Sequence, residues 1–590
     1  MIDNGFVHPA LYFLALAFVL PFLRGEGWKW LLPVPALLAI WSVVHMKSGT
    51  YGVVNYLGLE LTLGRVDPLS IVFAHVFAIQ AGIGFIYALH VRDKAQHAAA
   101  ALYVAGSFGC TFAGDYVTLF VFWELMSVAS TFLVWLNRNP ASTRAGFRYF
   151  LFHTLGGLAL LAGLLLRYKA VGNFAFGPVA ESSARLYDYL VLLGFCVNAA
   201  VVPLHAWLPD AYPEATVTGA VFMSAFTTKT AVYVLARGFA GYEVLAVMGT
   251  VMTLYGVFYA TIENNARRIL AYHIVSQVGY MVAGVGIGTQ MTLNGACAHA
   301  YAHILYKGLL FMGAGCVLYA AGTAKLNELG GLASRIPLVM IGYMIGAVSI
   351  SGFPLFNGFV SKTMTITGAA QAHHGILAIL MEVAAVGTFL SVGIKLPYFA
   401  FWGGKETYTG TLRPVPWNMY LGMAIGGSLC FLQGIFPGIL YRLLPFPVSY
   451  VPYTAWHVLQ ALLLLSFTGL GFYLLHKKLT PEAKINLDFD YFYRLAGRAV
   501  VFVARYPIEF VDNWWTEVYR RAGLRGMLGM GWLTSVFDKK GIDGVLDNTA
   551  YGVRHAGSIV TKIQTGRLQD YLAGMAVLAL IAFVLYLYVF

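Results

Sequence analysis

Apolar runs of about 18 to 25 residues, the length a helix needs to cross a bilayer, recur along almost the whole 590-residue chain. In hydrocarbon every backbone N–H and C=O must be bonded within its own segment, so such runs fold as helices. The chain therefore reads as an all-α polytopic membrane protein. Only 11% of its residues are charged, its mean hydropathy is +0.71, and a soluble domain carries roughly 25% charged residues. The opening stretch, MIDNGFVHPALYFLALAFVLPF, has no basic n-region and no small-residue cleavage site. It is expected to be a retained first span and not a removed signal peptide.

Spans are expected at 9–23, 28–46, 67–90, 97–113, 115–136, 146–167, 187–202, 216–237, 244–261, 267–287, 290–320, 336–351 with a continuation to 371, 374–402, 416–439 and 455–475. That makes about 14–15 core helices, and a terminal transmembrane helix fills 571–590. Loops after odd-numbered spans hold most of the Lys and Arg, among them Arg24, Arg92, Arg138, Arg267, Lys325 and Lys405. The positive-inside rule then places those loops in the cytoplasm and the N-terminus outside, in a cell inner (plasma) membrane. The net charge of +12 is scattered over these loops, so a membrane reading fits and nucleic acid does not. Residues 476–570 mix charges with Trp514, Trp515 and Trp532, and Ile542, Val545, Leu546, Val553, Val560 and Ile563 recur at helical spacing. This segment is expected to be an amphipathic lateral helix on the cytoplasmic surface, about 100 Å long and broken at Pro507 and near Gly526–Gly531. A small cytoplasmic helical domain is the alternative.

Several charges stand where bilayer depth forbids them unpaired. Glu124, Lys229 and Lys307 lie deep inside apolar runs, and Lys362 follows SGFPLFNGFVS, whose Gly and Pro should break the twelfth span. Four such groups left dry would cost on the order of 10 kcal/mol, so they must face one another or water. His299, His303 and Lys307 recur every four residues and share one helix face. Histidine both takes and releases a proton near neutral pH, so this trio reads as a proton relay. His75, His153 and His273 stand equally as packing residues or relay members. No carboxylate or cysteine completes a metal ligand set, and no CxxC, GxGxxG or P-loop occurs, so no metal or cofactor is expected. Pro203, Pro209 and Pro213 break a second apolar region around His205, with Asn198 at the end of the preceding run. Two broken helices in corresponding halves mark an inverted-repeat transporter. The expected organisation is N-terminal helices 1–96, a first repeat 97–237, a second 244–402, further core helices 403–475, the lateral segment 476–570 and the anchor 571–590.

The runs FWELMSVAS, PLHAWLPDAYPEA, RRILAYHIVSQVGY, HAYAHILYKGLLF and GFPLFNGFVSK occur in that order. Together they resemble the antiporter-like subunits shared by Mrp-type sodium/proton antiporters and respiratory complex I. WLPDAYPEATVTGAV and LAYHIVSQVGYM look most like the Mrp D subunit. The resemblance implies that Glu124 is the family's fifth-helix glutamate and Lys229 its eighth-helix lysine. It likewise makes His299, His303 and Lys307 the next relay group and Lys362 the twelfth-helix titratable residue. It also shows a departure: where the family carries a seventh-helix lysine, seven residues before His205, this chain has Asn198. The tail, FDKKGIDGVLDNTAYGV and QTGRLQDYL before a last span, resembles the lateral helix and anchor of the distal pumping subunit of complex I.

The resemblance and the buried titratable groups together imply a proton-translocating, or Na+/H+ antiporting, subunit of a multi-subunit membrane complex. Its partners would be other membrane subunits. Three alternatives stay open: a pumping subunit of a complex I-like NADH:quinone oxidoreductase or membrane-bound hydrogenase, a channel-impaired scaffold, and an energy-coupling partner for uptake of a small molecule. The chain has no redox motif of its own.

Overall fold

Most spans begin on a side chain that caps them. Asp67, Asp115, Asn139, Asn265 and Thr289 each precede a helix and accept a hydrogen bond from a backbone N–H of its first turn. The computed structural model describes residues 2–3, 6–403, 408–482 and 486–589; Lys405 lies outside the described residues. The chain divides into two units, Met1–Asp490 and Tyr491–Phe590.

The first unit opens with the short strands β1 (Ile2–Asp3) and β2 (Phe6–Val7), then α1 (Ala10–Val19) and α2 (Val34–His45). A hairpin follows, β3 (Gly49–Tyr56) and β4 (Leu59–Val66), between two expected spans and foreseen by neither. Its turn residues Leu57 and Gly58 both have positive φ, +53° and +78°, the pair a two-residue type I′ loop requires. Then come α3 (Pro68–Tyr87), α4 (Lys94–Phe112), α5 (Tyr116–Trp135), α6 (Pro140–Val171), α7 (Leu186–Asn198), α8 (Trp207–Ala211), α9 (Val217–Met223) and α10 (Thr227–Gly238). They are followed by α11 (Glu243–Ile262), α12 (Ala266–Ile287), α13 (Gln290–Ala321), α14 (Pro337–Ser351), α15 (Asn357–Gln371) and α16 (Gly375–Thr388). α16 runs on through π-helical turns at Phe389–Lys395 and Tyr398–Trp402. α17 (Trp417–Ile435), α18 (Pro437–Tyr441) and α19 (Ala455–Leu475) complete the core.

The expected breaks in the seventh and twelfth spans are present, between α7 and α8 and between α14 and α15. The eighth span, expected to be continuous over 216–237, is also interrupted, at 224–226 between α9 and α10. Among the described residues eleven helices are long and apolar enough to cross a membrane. Ala10–Phe22, Leu186–Asn198 and Pro337–Ser351 are shorter apolar helices.

Elements recur at a fixed interval. Asp115 forms an isolated antiparallel bridge with Ala175, and Asn265 forms one with Lys325. α6 and α13 each have 32 residues and end at a left-handed glycine, Gly172 (φ +81°) and Gly322 (φ +78°). These pairs are all 150 residues apart (115 to 265, 140 to 290, 172 to 322, 175 to 325).

The polar helices sit inside and the apolar ones outside, the reverse of a water-soluble bundle. α12 is buried along almost its whole length and α9–α10 nearly so, whereas Ile376 and Leu155 on peripheral helices are 76% and 65% exposed. α12 can sit centrally because glycines let α11 approach it. A Cβ on Gly286 would lie 2.0 Å from the Ala246 nitrogen, and one on Gly249 2.3 Å from the Ala283 nitrogen. Without a hydrophobic driving force between helices, small residues of this kind make close packing possible.

In the second unit, α20 (Asp490–Val503), α21 (Glu509–Val518), α22 (Arg525–Val536) and α23 (Gly544–Ile563) join without interruption through π-helical turns. The expected breaks at Pro507 and Gly526–Gly531 are absent. Pro507 lies within the π-helical turn Ala504–Ile508, where a wider turn accommodates the missing N–H. Trp514 and Trp515 are exposed. α24 (Leu568–Val589) is the last helix and is long and apolar enough to span.

Candidate functional site

Helix breaks release backbone carbonyls, and two buried lysines use them. The interruption between α9 and α10 frees the Ser224 carbonyl, which accepts from Lys229 Nζ at 2.6 Å; Thr228 Oγ1 accepts at 3.1 Å. The break after α14 frees the Ile350 carbonyl, which accepts from Lys362 Nζ at 2.9 Å. Lys362 also lies 5.3 Å from the centre of the Tyr280 ring.

Between these lysines runs the trio of α13. Its four-residue spacing puts His299, His303 and Lys307 on one face, all fully buried. His299 Nδ1 donates to Ser361 Oγ at 3.1 Å, and Tyr306 Oη donates to its Nε2 at 3.4 Å. Ser361 precedes Lys362 on α15, and His299 lies within electrostatic reach of that lysine. The His299 and His303 rings are 6.4 Å apart. Both His303 nitrogens and Lys307 Nζ are buried with no protein partner, and Lys229, His303 and Lys307 lie within electrostatic reach of one another. The structure thus gathers Lys229, His299, His303, Lys307 and Lys362 into one row.

The row ends at a small cavity of about 40 Å³, lined by Ser351, Lys362, Glu382, His457 and Gln460. That is room for about one water. Gln460 Nε2 donates to Glu382 Oε1 at 3.0 Å. The sequence reading missed Glu382, although a carboxylate inside GILAILMEVAAVG meets the same criterion that singled out Glu124. It also missed Gln80, whose buried amide finds no protein partner and lies against Gly308, next to Lys307.

Glu124 and Asn198 stand apart from that row. Glu124 is half-buried and pairs with no cation among the described residues, Lys229 included. Its Oε1 is buried without a partner, against Gly157 of α6, where a Cβ would come within 2.1 Å. Asn198, the last residue of α7, accepts at Oδ1 from His153 Nδ1 at 2.8 Å.

His205, between α7 and α8, is drawn into a different cluster. Its Nε2 donates to Asp488 Oδ2 at 3.3 Å, Tyr272 Oη donates to the same oxygen at 2.6 Å, and Tyr255 Oη donates to Oδ1. Burial works to raise the Asp488 carboxyl. The hydrogen bonds and charge of His205, with the two tyrosines, outweigh it and hold the group at about 2. Asp488 sits in the linker after α19, too far along the chain for sequence reasoning to join it to His205.

Comparison with known proteins places this architecture. Residues 113–389 match the family model described as NADH:quinone oxidoreductase/Mrp antiporter, TM. The A subunit of the Na(+)/H(+) antiporter of Alkalihalophilus pseudofirmus is 31% identical over 489 residues, 72% of this chain; the match spans 60% of that protein's length. An uncharacterised protein of Mycobacterium tuberculosis is 30% identical over 452 residues, covering 70% of this chain and 69% of its own. Among solved structures, a chain of the membrane-bound sulfane sulfur reductase, an archaeal respiratory membrane complex, superposes with a TM-score of 0.69 at 20% identity. That superposition covers 98% of this chain and 99% of the other, a likeness of fold. The chain belongs to the NADH:quinone oxidoreductase/Mrp antiporter transmembrane family.

Proposed function

We propose that this chain is a proton-translocating, antiporter-like subunit of a multi-subunit membrane complex, with Na+ as the alternative coupled ion. One observation carries the reading: Lys229, Lys307, His303, His299 and Lys362 are all buried within electrostatic reach of one another along the polar interior, ending at a cavity that also holds Glu382. A buried polar group without a partner costs about 1–3 kcal/mol. Hydration of the gaps beside His303 and Lys307 offsets that cost and links the row for proton transfer. The residues act as bases and acids in turn: each amine or imidazole accepts a proton, and water carries it to the next.

Residues 97–237 and 244–402 are read as the two inverted repeats, supported by the 150-residue interval of bridges, long helices and terminal glycines. Residues 1–96 and 403–475 flank them as further core helices, and 476–570 and 571–590 are the lateral segment and the anchor. The N-terminus lies outside a plasma membrane and the lateral helix lies on the cytoplasmic side, supported by loop charge. The exposed apolar side chains of that helix, Trp514 and Trp515 among them, suit it to lie against neighbouring membrane subunits. A redox-driven host, of the complex I-like or membrane-bound hydrogenase kind, and a cation antiporter both supply such neighbours.

Proton flux through the assembled complex in proteoliposomes tests the reading. Lys307→Ala and Lys362→Ala should each lower flux at least about tenfold, the lower part of the range for removal of a proton-transfer group. Flux equal to the parent in both variants leaves only a scaffold.

A further inference from the structure

We propose that His153, held by Asn198, is the proton-carrying base of the first half of the core; this deepens the translocation reading above and rests on it. His153 stands on α6 where His303 stands on α13, at the same distance from the helix start and the same 150 residues apart. One turn on, the position of Lys307 is taken by Gly157, and the space left by its missing side chain holds the Glu124 carboxylate. The second half thus stacks an imidazole beside an amine, and the first half stacks an imidazole within about 6 Å along the helix of a carboxylate.

Three buried polar atoms at this point have no protein partner: His153 Nε2, Asn198 Nδ2 and Glu124 Oε1. They come from α6, α7 and α5, and the packing of Gly156 against Val197 and of Gly157 against Glu124 brings those helices together. The other groups around the imidazole are committed elsewhere. Tyr149 Oη bonds Ser130 Oγ at 2.8 Å, and Trp207 Nε1 donates to the Val197 carbonyl at 2.9 Å. Their rings flank His153 at 4.2 and 4.6 Å. The groups touching His153 are therefore Tyr149 on its own helix, Trp207 from α8 and Asn198 from α7, with Glu124 from α5 one turn away against Gly157. None of these is a Lys or Arg, so among the described residues His153 is the only nitrogen base there.

Asn198 makes that base usable. Its Oδ1 accepts from Nδ1–H and fixes the tautomer, leaving Nε2 as a bare acceptor for an incoming proton. The amide does not titrate and brings no charge. A lysine at 198 would set a cation against the imidazole and oppose its protonation.

Two measurements on the full chain in its assembled complex test the assignment. The first is deuterium exchange at the imidazole carbon of His153, read by mass spectrometry across about pH 5–8. Exchange that follows a titration curve supports the assignment, and no exchange at any pH overturns it, whether or not any variant folds. The second is proton flux in proteoliposomes. His153→Gln keeps a donor to Asn198 but cannot titrate, and it should lower flux at least about tenfold; flux and pH profile equal to the parent overturn the proposal. Asn198→Lys should lower flux in the parent and restore it in His153→Gln, where the new amine becomes the carrier. A rise in flux from Asn198→Lys alone overturns the proposal. Lys307→Ala in parallel separates the two readings. If Lys307→Ala stops flux and His153→Gln does not, the translocation reading stands and this assignment falls. If Lys307→Ala leaves flux unchanged, the translocation reading falls, and the exchange curve alone decides whether His153 protonates.

Discussion

Gly157 decides where the Glu124 carboxylate rests. A Cβ there would lie 2.1 Å from Oε1, so Gly157→Ala should push the carboxylate off α6. Overpacking of this kind costs about 1–3 kcal/mol, and the expected result is a lower melting temperature with flux reduced toward that of Glu124→Gln. Parent-like flux in Gly157→Ala would show that the position of Glu124 is immaterial. At this scale the sequence was only partly legible. Glu124, Lys229, Lys307 and Lys362 declared themselves because a charge inside an apolar run is costly wherever it occurs. Their partners did not, because Asn198 meets His153, and Glu124 meets Gly157, across tens of residues and through helix packing alone. Glu382 was in view by the same criterion as Glu124. It shares the Lys362 cavity, and Glu382→Gln should alter the pH dependence of flux without lowering the amount of assembled complex.

Helices were the most legible elements, because hydrocarbon leaves the backbone no alternative. Breaks were legible where Pro or Gly wrote them, at 203–213 and 352–359. The interruption at 224–226 was not, since SAFTT contains neither residue. The hairpin of β3 and β4 escaped notice because TYGVVNYLGLELTLGRV alternates at too short a range to register as a span. The seam between α11 and α12 gives one prediction at this scale. Gly286→Leu would drive a side chain into the Ala246 backbone, and the complex should lose several degrees of thermal stability or fail to accumulate. The linker after α19 gives another. Tyr259 Oη donates to the Leu487 carbonyl at 2.9 Å and Asn264 Nδ2 to the Glu482 carbonyl at 2.8 Å, so the linker is tied to the end of α11 beside the Asp488 cluster. Because the Asp488 carboxyl is held near 2, its contribution is complete above about pH 4 and is lost as pH falls through about 2. At pH 7 the linker should resist proteolysis, and Asp488→Asn should admit cleavage near residues 482–488. A parent cleaved there as readily as Asp488→Asn would refute the latch.

For the whole molecule, the distribution of loop charge sets the proposed orientation. Leu57, at the tip of the hairpin, is 84% exposed, and on the proposed orientation it faces outside while Lys477 faces the cytoplasm. Leu57→Cys should react with a membrane-impermeant maleimide added to intact cells, and Lys477→Cys only after lysis; the opposite pattern inverts the orientation. One feature of the backbone also bears on how fast such a molecule can work. Lys229 and Lys362 each rest on a carbonyl that a kink has released. If protons pass along the row as proposed, these oxygens are berths that hold each amine in place while a remaining N–H stays free to hand its cargo on. On that reading, a change that closed either kink would unseat its amine and slow the relay.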